Sequence, residues 1–364
     1  MSVMRIAIWS ETFAPSLGGL ERFSEELARW LSVRGHEVLV VTRTPAEGSR
    51  NADEPYEVLR RPSVAGAVRA LRRADIVQVA GTSMKAVGLA RLAGRRVIVT
   101  HAGPQLVCPS GLAWSERGLC LAGPAPGPCP WCDRHGSAAW ANVRTRRELM
   151  TRVARNVFVS RYLRSRCGLV GRVVYNPVPD SAFTARGRGV SGADTIVTAG
   201  RFVREKGFDV LLRAMAHVDA RLVLAGDGPL RGALEALAAD LGLGPKVVFR
   251  GRMSLLQLQT LYGEAVLTCV PSAWGEPFGY AVAEAMAAGV PVVGAPTGAI
   301  PELLADGRGF VAASVTHEAL ATSIRQALSD AEDRADCANR AAAFAREELH
   351  VDVIGRRYEE LYGT

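Results

Sequence analysis

Nowhere in the 364 residues do about 18 apolar positions run together without a charge, so no membrane-spanning helix is expected. The opening stretch, Met1 to Trp9, is too short for the apolar core of a secretion signal, and Glu11 soon follows; the expected compartment is the cytoplasm. Cysteine is scarce, seven in all, which excludes a disulfide framework in a chain of this length. Lysine is nearly missing: only Lys85, Lys206 and Lys246 stand among 44 basic residues. A mutational bias of the genome explains that as well as a demand for arginine would. Neither disorder nor a fibrous form is compatible with 48 % hydrophobic and 22 % charged residues.

The length suggests two domains. Charge divides the chain in the same way. Residues 1–180 hold 26 Lys/Arg against 14 Asp/Glu, a net +12, and the remainder hold 18 against 22, a net −4. A basic first half suits nucleic acid, an anionic membrane face or an acidic substrate. Short β-branched runs recur at Arg5 to Ser10, Glu37 to Thr42, Ile76 to Ala80, Arg96 to Thr100, Asn156 to Ser160 and Arg172 to Tyr175. Helical patterns separate them, the first over Leu20 to Arg34 with Phe23, Leu27, Trp30 and Leu31 on one face and Gly35 at its end. After a low-complexity linker, 185–192, the alternation resumes at Thr195 to Ala199, Arg221 to Ala225, Lys246 to Arg250, Ala265 to Pro271 and Pro291 to Gly294, and it ends in a helical stretch, Ala331 to Tyr362. Two doubly wound α/β domains are predicted. The first spans 1–185 with an irregular insert at 103–136, the second 186–345, and a C-terminal helix 346–364.

Three places carry chemistry. Gly18-Gly19-Leu20-Glu21 follows the first strand, where paired glycines let the backbone approach a ligand and the next helix offers its N-terminus to an anion. A tight turn without a ligand is the plainer alternative, and this turn lacks the Gly-x-Gly-x-x-Gly of nicotinamide sites. Gly200-Arg201 to Lys206-Gly207 follows the first strand of the second half, where Arg201 as a fork and Lys206 as a point charge would converge on a diphosphate; solvated surface charge is the alternative. The third is Glu276-Pro277-Phe278-Gly279, with Glu284 eight positions on among alanines and Val282. A carboxylate there needs a partner, either sugar or ribose hydroxyls or a buried arginine.

These pieces resemble, over essentially the whole chain, the retaining glycosyltransferases of family GT4, which have the GT-B architecture. The matching segments are Gly18-Gly19-Leu20-Glu21 with Arg34-Gly35-His36-Glu37-Val38, Gly200-Arg201 with Glu205-Lys206-Gly207, Ala225 to Pro229, Glu276 to Val293, and Pro301-Glu302. The resemblance implies two Rossmann-like domains facing across a cleft, with the last helix returning to the first. It implies that the first domain binds the acceptor and the second the nucleotide sugar. Glu284 matches the ligand of the ribose hydroxyls, Arg201 and Lys206 the diphosphate grip, and Gly18 and Gly19 the glycine loop over the phosphates. Glu276, with the backbone of Phe278 and Gly279, matches the holder of donor-sugar hydroxyls, and His101 matches the histidine that contacts the transferring sugar. His101, Glu276, Arg201 and Lys206 are thus the expected catalytic set. No Asp-x-Asp occurs, in keeping with cations in place of Mg²⁺ and no cofactor required for catalysis. A UDP-sugar is the expected donor and a GDP-sugar the alternative; the acceptor is a cell-envelope glycan, a lipid-linked or a small-molecule acceptor. A non-catalytic nucleotide-sugar-binding partner subunit is the alternative of another class. Tyr280 stands where the family has an aliphatic residue, and Gly298-Ala299 where a double glycine is common.

Four cysteines, Cys108, Cys120, Cys129 and Cys132, fall inside the insert. Cys129-Pro130-Trp131-Cys132 has the spacing of a zinc knuckle, and the other two would complete a structural zinc site, with His135 as a substitute ligand; reduced thiols or disulfides are the alternative. Nine arginines between Arg144 and Arg172 suit either a surface resting on anionic lipid or a pair of solvated helices. No recognition motif accompanies them, so nucleic acid is not an expected partner.

Overall fold

The computed structural model describes residues 3–16, 18–45, 54–115, 118–120, 137–153, 155–183 and 194–363. They form two compact units. The first takes the chain up to Ser115, then Cys120–Pro177, and again from Val351 onward; the second takes Val178–His350 with the short stretch that ends at Leu119. No helix among the described residues is long and apolar enough to cross a membrane.

The first unit is built on seven parallel strands: β1 (Arg5–Ser10), β2 (Glu37–Thr42), β3 (Glu57–Arg60), β4 (Ile76–Ala80), β5 (Arg96–His101), β6 (Arg155–Phe158) and β7 (Arg172–Val173), in the order β3-β2-β1-β4-β5-β6-β7. β4 is buried at all five positions and β1 at all but its first. Burial on both faces is why these strands read as continuous apolar runs. The sheet's helices are α1 (Gly19–Val33), α2 (Val64–Leu71), α3 (Met84–Leu92), α4 (Ser137–Val153) and α5 (Arg161–Cys167). α1 buries Phe23, Leu27, Trp30 and Leu31, each worth about 1.5–3 kcal/mol when withdrawn from water. It stops at Arg34, after which Gly35 adopts φ +88.

The second unit repeats the design with β8 (Thr195–Ala199), β9 (Arg221–Ala225), β10 (Val247–Gly251), β11 (Leu267–Val270), β12 (Val292–Gly294) and β13 (Phe310–Val311), in the order β10-β9-β8-β11-β12-β13 and all parallel. Its helices are α6 (Phe208–Met215), α7 (Arg231–Asp240), α8 (Leu255–Glu264), α9 (Tyr280–Ala287), α10 (Ile300–Leu304), α11 (His317–Ser329) and α12 (Ala331–Phe344). In each sheet the order reverses beside the first strand, at β1/β4 and at β8/β11. Ligands of open α/β sheets bind beyond the carboxyl ends of the strands at such a reversal.

The C-terminal helical stretch is not one helix. α12 passes into a π turn at Ala345–Leu349, His350 is extended (ψ 141), and α13 (Val351–Gly363) follows. No Gly or Pro marks the break; His350 forms a parallel bridge to Val178, whose N–H donates to Leu349 O at 2.8 Å. The two chain crossings therefore fall at Pro177/Val178 and His350/Val351, where composition alone suggested 185/186 and 345/346. Residues 180–183 form a short turn of the second unit, with Ser181 accepting from Gln259 of α8 at 3.2 Å.

α13 belongs to the first unit. Trp30 Nε1 donates to Asp352 at 2.7 Å, and Gly355 lies against the Trp30 ring. Thr100 of β5 bonds the Tyr358 hydroxyl at 2.7 Å, and the Tyr362 hydroxyl donates to Gln78 of β4 at 3.3 Å. His36 Nδ1 accepts from the Met4 N–H, which leaves Nε2 to donate to Glu359 at 3.0 Å, and Arg34 reaches the same carboxylate at 3.3 Å. The Arg34-Gly35-His36 segment thus anchors the last helix.

Candidate functional site

The reversal at β8/β11 gathers the polar side chains of the second unit. β8 runs out into Gly200 and Arg201, and a single 3-10 turn, Arg204–Lys206, ends at Gly207 with φ +68. A side chain on Gly207 would overlap the carbonyl of Pro271, so glycine lets the loop after β8 lie against the loop after β11. Ala273 N–H then donates to Glu205 O at 2.9 Å. Gly298, after β12, is a second such contact: its φ is +62, and a Cβ would strike the backbone of Gly275 and Glu276. Ala299 has φ −83, ordinary for an alanine, so a second glycine is not needed there.

Held this way, Glu276 is buried and accepts from Ser272 Oγ at 2.7 Å and from Lys206 Nζ. Burial pushes its carboxyl up, but the Lys206 ammonium and the hydrogen bonds outweigh burial and hold it below the usual range. Lys206 also lies 5.5 Å from the Trp274 ring centroid. Arg201 points outward with 72 % of its side chain exposed, 3.9 Å from Glu205. The Pro277-Phe278-Gly279 turn opens α9 through Gly279 at φ +95. Glu284 is buried in α9, one turn after Tyr280. Tyr280 packs edge-on against Phe278, centroids 5.1 Å apart. The structure therefore brings Lys206 and Glu276 together and sets Arg201, Phe278, Gly279 and Glu284 on the same three loops and helix. Ser272, Trp274 and Thr297, whose hydroxyl donates to Ser272 O at 2.7 Å, complete the frame. Sequence reading assigned them no role because a lone Ser, Thr or Trp beside a motif carries no signal of its own.

The remaining site residues are in the first unit. Gly18 caps α1 in an extended conformation and Gly19 begins that helix, at the carboxyl end of β1. His101 ends β5, fully buried and stacked on Phe158 at 4.8 Å. Asn156 Nδ2 donates to Met150 O, which turns its Oδ1 toward His101 Nε2 at 2.8 Å. Nε2 thus carries the proton and Nδ1 accepts from Thr82 Oγ1 at 3.0 Å. The sugar contact implied for His101 meets a ring whose two nitrogens are already bonded. Burial pushes this imidazole down to about 4, against a smaller opposing pull from Asn156. An unfolded histidine titrates near 6.5, so the unfolded chain binds the extra proton between those values. Acidification across that interval should cost about 3 kcal/mol of stability. Urea melts from pH 7.5 to 4.5 should show a decline that His101→Gln removes; equal slopes in the two proteins would refute it.

Of the four insert cysteines, Cys108 and Cys120 are half-buried and form no disulfide, and Cys108 Sγ lies 3.1 Å from Ser110 Oγ. Cys129, Cys132 and His135 lie outside the described residues. Among the described residues no three candidate ligands gather as a metal site. Three of the nine arginines serve backbone carbonyls: Arg146 that of Gln105, Arg147 those of Cys167 and Gly168 at the end of α5, and Arg166 that of Cys120.

Two doubly wound units, one with buried carboxylates and a cation at its sheet reversal, define a protein of the GT-B glycosyltransferase class. Residues 17–182 match the model of Glycosyltransferase Family 4, and residues 186–344 match that of Glycosyl transferases group 1. The chain belongs to the GT4 glycosyltransferases. It is 27 % identical to the GDP-mannose-dependent α-(1-6)-phosphatidylinositol monomannoside mannosyltransferase of Mycolicibacterium smegmatis, over 87 % of each chain. It is 34 % identical to an uncharacterized glycosyltransferase of Methanocaldococcus jannaschii, a match spanning 46 % of this chain and 44 % of that one. Anabaena HepE, solved in complex with UDP, has the same fold, with a TM-score of 0.79 and 22 % identity over 99 % of this chain and 100 % of that one.

Proposed function

We propose that the chain transfers a sugar from a nucleoside-diphosphate sugar, with retention and without a catalytic metal, to a cell-envelope glycan, lipid-linked or small-molecule acceptor. One observation carries the reading: Lys206 and Glu276 meet at the β8/β11 reversal, beside the exposed Arg201 and the start of α9. Cleavage of the donor builds negative charge on the departing diphosphate. Arg201, Lys206 and the α9 N-terminus are set to stabilise it. Glu276, fixed by Lys206 and Ser272, accepts donor-sugar hydroxyls rather than attacking the anomeric carbon. Glu284 takes the ribose hydroxyls. No protein nucleophile is assigned, and the acceptor attacks on the face the diphosphate leaves.

UDP is the favoured base, supported by the HepE complex with UDP-glucose. GDP is the alternative, favoured by the mannosyltransferase similar over most of the chain. A thermal-shift panel of UDP, GDP and their sugar conjugates separates them. Ligand at a hundredfold its Kd adds about 2.7 kcal/mol, a rise of a few degrees for a chain this size. The rise should be lost in Glu284→Ala; no rise with any nucleotide would overturn the transferase reading. In the same preparation, made without chelator, we expect one zinc per chain held by Cys108, Cys120, Cys129 and Cys132. Metal analysis finding under about a tenth of an equivalent would refute that structural site.

A further inference from the structure

Lys206 has two anions to serve. It bonds Glu276 Oε1, and the transferase reading gives it the departing diphosphate as well. Ser272 Oγ donates to the same carboxylate oxygen at 2.7 Å. A lysine drawn toward a second anion leaves behind a buried carboxylate with one neutral hydroxyl on it, and an uncompensated buried charge is costly. A further group has to hold that charge while the ammonium is engaged elsewhere.

Trp274 has the geometry for it. Its backbone is clamped: Ala273 N–H donates to Glu205 O and Glu276 N–H to Trp274 O, each at 2.9 Å, and Ala299 N–H donates to Glu276 O at 2.8 Å. The Lys206 ammonium lies 5.5 Å from the centroid of the indole ring, over its face. The indole N–H is buried and closes no hydrogen bond among the described residues, yet it helps to hold the Glu276 carboxyl below its usual range. An aromatic ring has a negative face and a positive edge. One side chain thus offers its face to the cation and its N–H edge to the anion of a single ion pair. Being buried, that N–H acts on a ligand only through Glu276. The charged groups on the elements packed around Glu276 are Arg201, Glu205 and Lys206 from the loop after β8, Glu284 from α9 and Glu302 from α10. Of these Lys206 pulls on the carboxyl, while Arg201 and Glu205 pair with each other at 3.9 Å.

We infer that Trp274 is a positioning residue that lets Lys206 be shared between two anions: when the ammonium turns to the diphosphate, the indole N–H closes its hydrogen bond to Glu276 and keeps that carboxylate charged for the donor sugar. The inference rests on the transferase reading of this site.

The test is calorimetric titration of the full chain with UDP and with GDP at pH 6 and pH 7.5, each in two buffers of different ionisation enthalpy, so that the protons taken up on binding are counted. Trp274→Phe keeps a ring face for Lys206 and lacks the N–H. In that variant the nucleotide strands Glu276, which should take up several tenths of a proton more per nucleotide than wild type at pH 6. Its affinity at pH 7.5 should be about tenfold weaker. The deficit should shrink at pH 6, because binding that takes up protons strengthens as pH falls. The phosphates of the nucleotide titrate alike in both proteins and cancel in the comparison. A tryptophan that merely packs would weaken binding equally at both pH values and add no proton, and either result overturns the inference. Should Trp274→Phe fail to fold, benzothienylalanine at the same position keeps the two-ring shape without the N–H, and absence of the extra proton there overturns it equally. If neither UDP nor GDP binds wild type, the transferase reading falls and the inference with it. A nucleotide that binds both proteins with the same proton count overturns the inference alone.

Discussion

Lys206→Met should lower turnover by about 10²–10³, equivalent to about 3–4 kcal/mol of transition-state stabilisation, the usual cost of removing one donor aimed at a developing charge. The same change strands Glu276, which is buried and otherwise bonded to Ser272. Stranding a buried charge costs about 3–5 kcal/mol, and its pH dependence identifies the cause. In the wild type the Glu276 carboxyl sits below its usual range, so its stabilisation is present above the unfolded carboxylate pKa and is lost as pH falls through the folded one. In the variant burial is opposed only by the Ser272 and Trp274 donors, so the carboxyl pKa rises from its wild-type value; the penalty is then largest near neutrality and shrinks as acid protonates the group. Steady-state turnover and urea melts between pH 4 and 8 read both effects. Turnover within threefold of wild type would refute the catalytic role, and a stability gap that widens on acidification would refute the electrostatic one.

The second large effect lies within the first unit, where α13 packs on α1. A Cβ on Gly355 would fall inside the Trp30 ring, so Gly355→Leu cannot be absorbed by a rotamer change and must lift α13 off α1. Overpacking of this kind costs about 3 kcal/mol or more. Tyr358, Glu359 and Tyr362 bond the first unit from the same helix, so the loss should spread across its sheet. Hydrogen exchange should quicken in β1, β4 and β5 while β8, β9 and β11 keep their protection. Gly88, in α3 with nothing within 4 Å of its Cβ position, is the control: Gly88→Ala should be neutral or stabilising by about 0.5–1 kcal/mol. Unaltered protection in Gly355→Leu would show that the helix does not hold the unit together.

The central strands and the loops between β8 and α9 were legible because each rests on a local signal. Ile6 to Ser10 and Ile76 to Ala80 are buried at every position and mostly apolar, and the glycines at 207 and 279 sit where the backbone needs positive φ. β3 and β13 were missed: Glu57–Arg60 has no buried position and Phe310–Val311 is two residues long. The break at His350 was hidden because a bridge to Val178, 172 positions away, makes it. Lys206 and Glu276 were each singled out for a ligand, but their pairing depends on two loops 70 residues apart. The Arg34-Gly35-His36 segment was visible as a motif and mute as to its use, since its partner Glu359 lies in the last helix.

That last helix gives the chain an order of completion unlike its order of synthesis. The second unit is almost wholly contained in Val178–His350, while the first needs Val351–Gly363 to cover Trp30 and to satisfy Gln78 and Thr100. At about 5–20 residues per second a ribosome takes roughly 10–35 s to add the residues between Pro177 and Val351. Throughout that interval the nascent N-terminal sheet waits with its docking face open, and the later-made unit is free to close first.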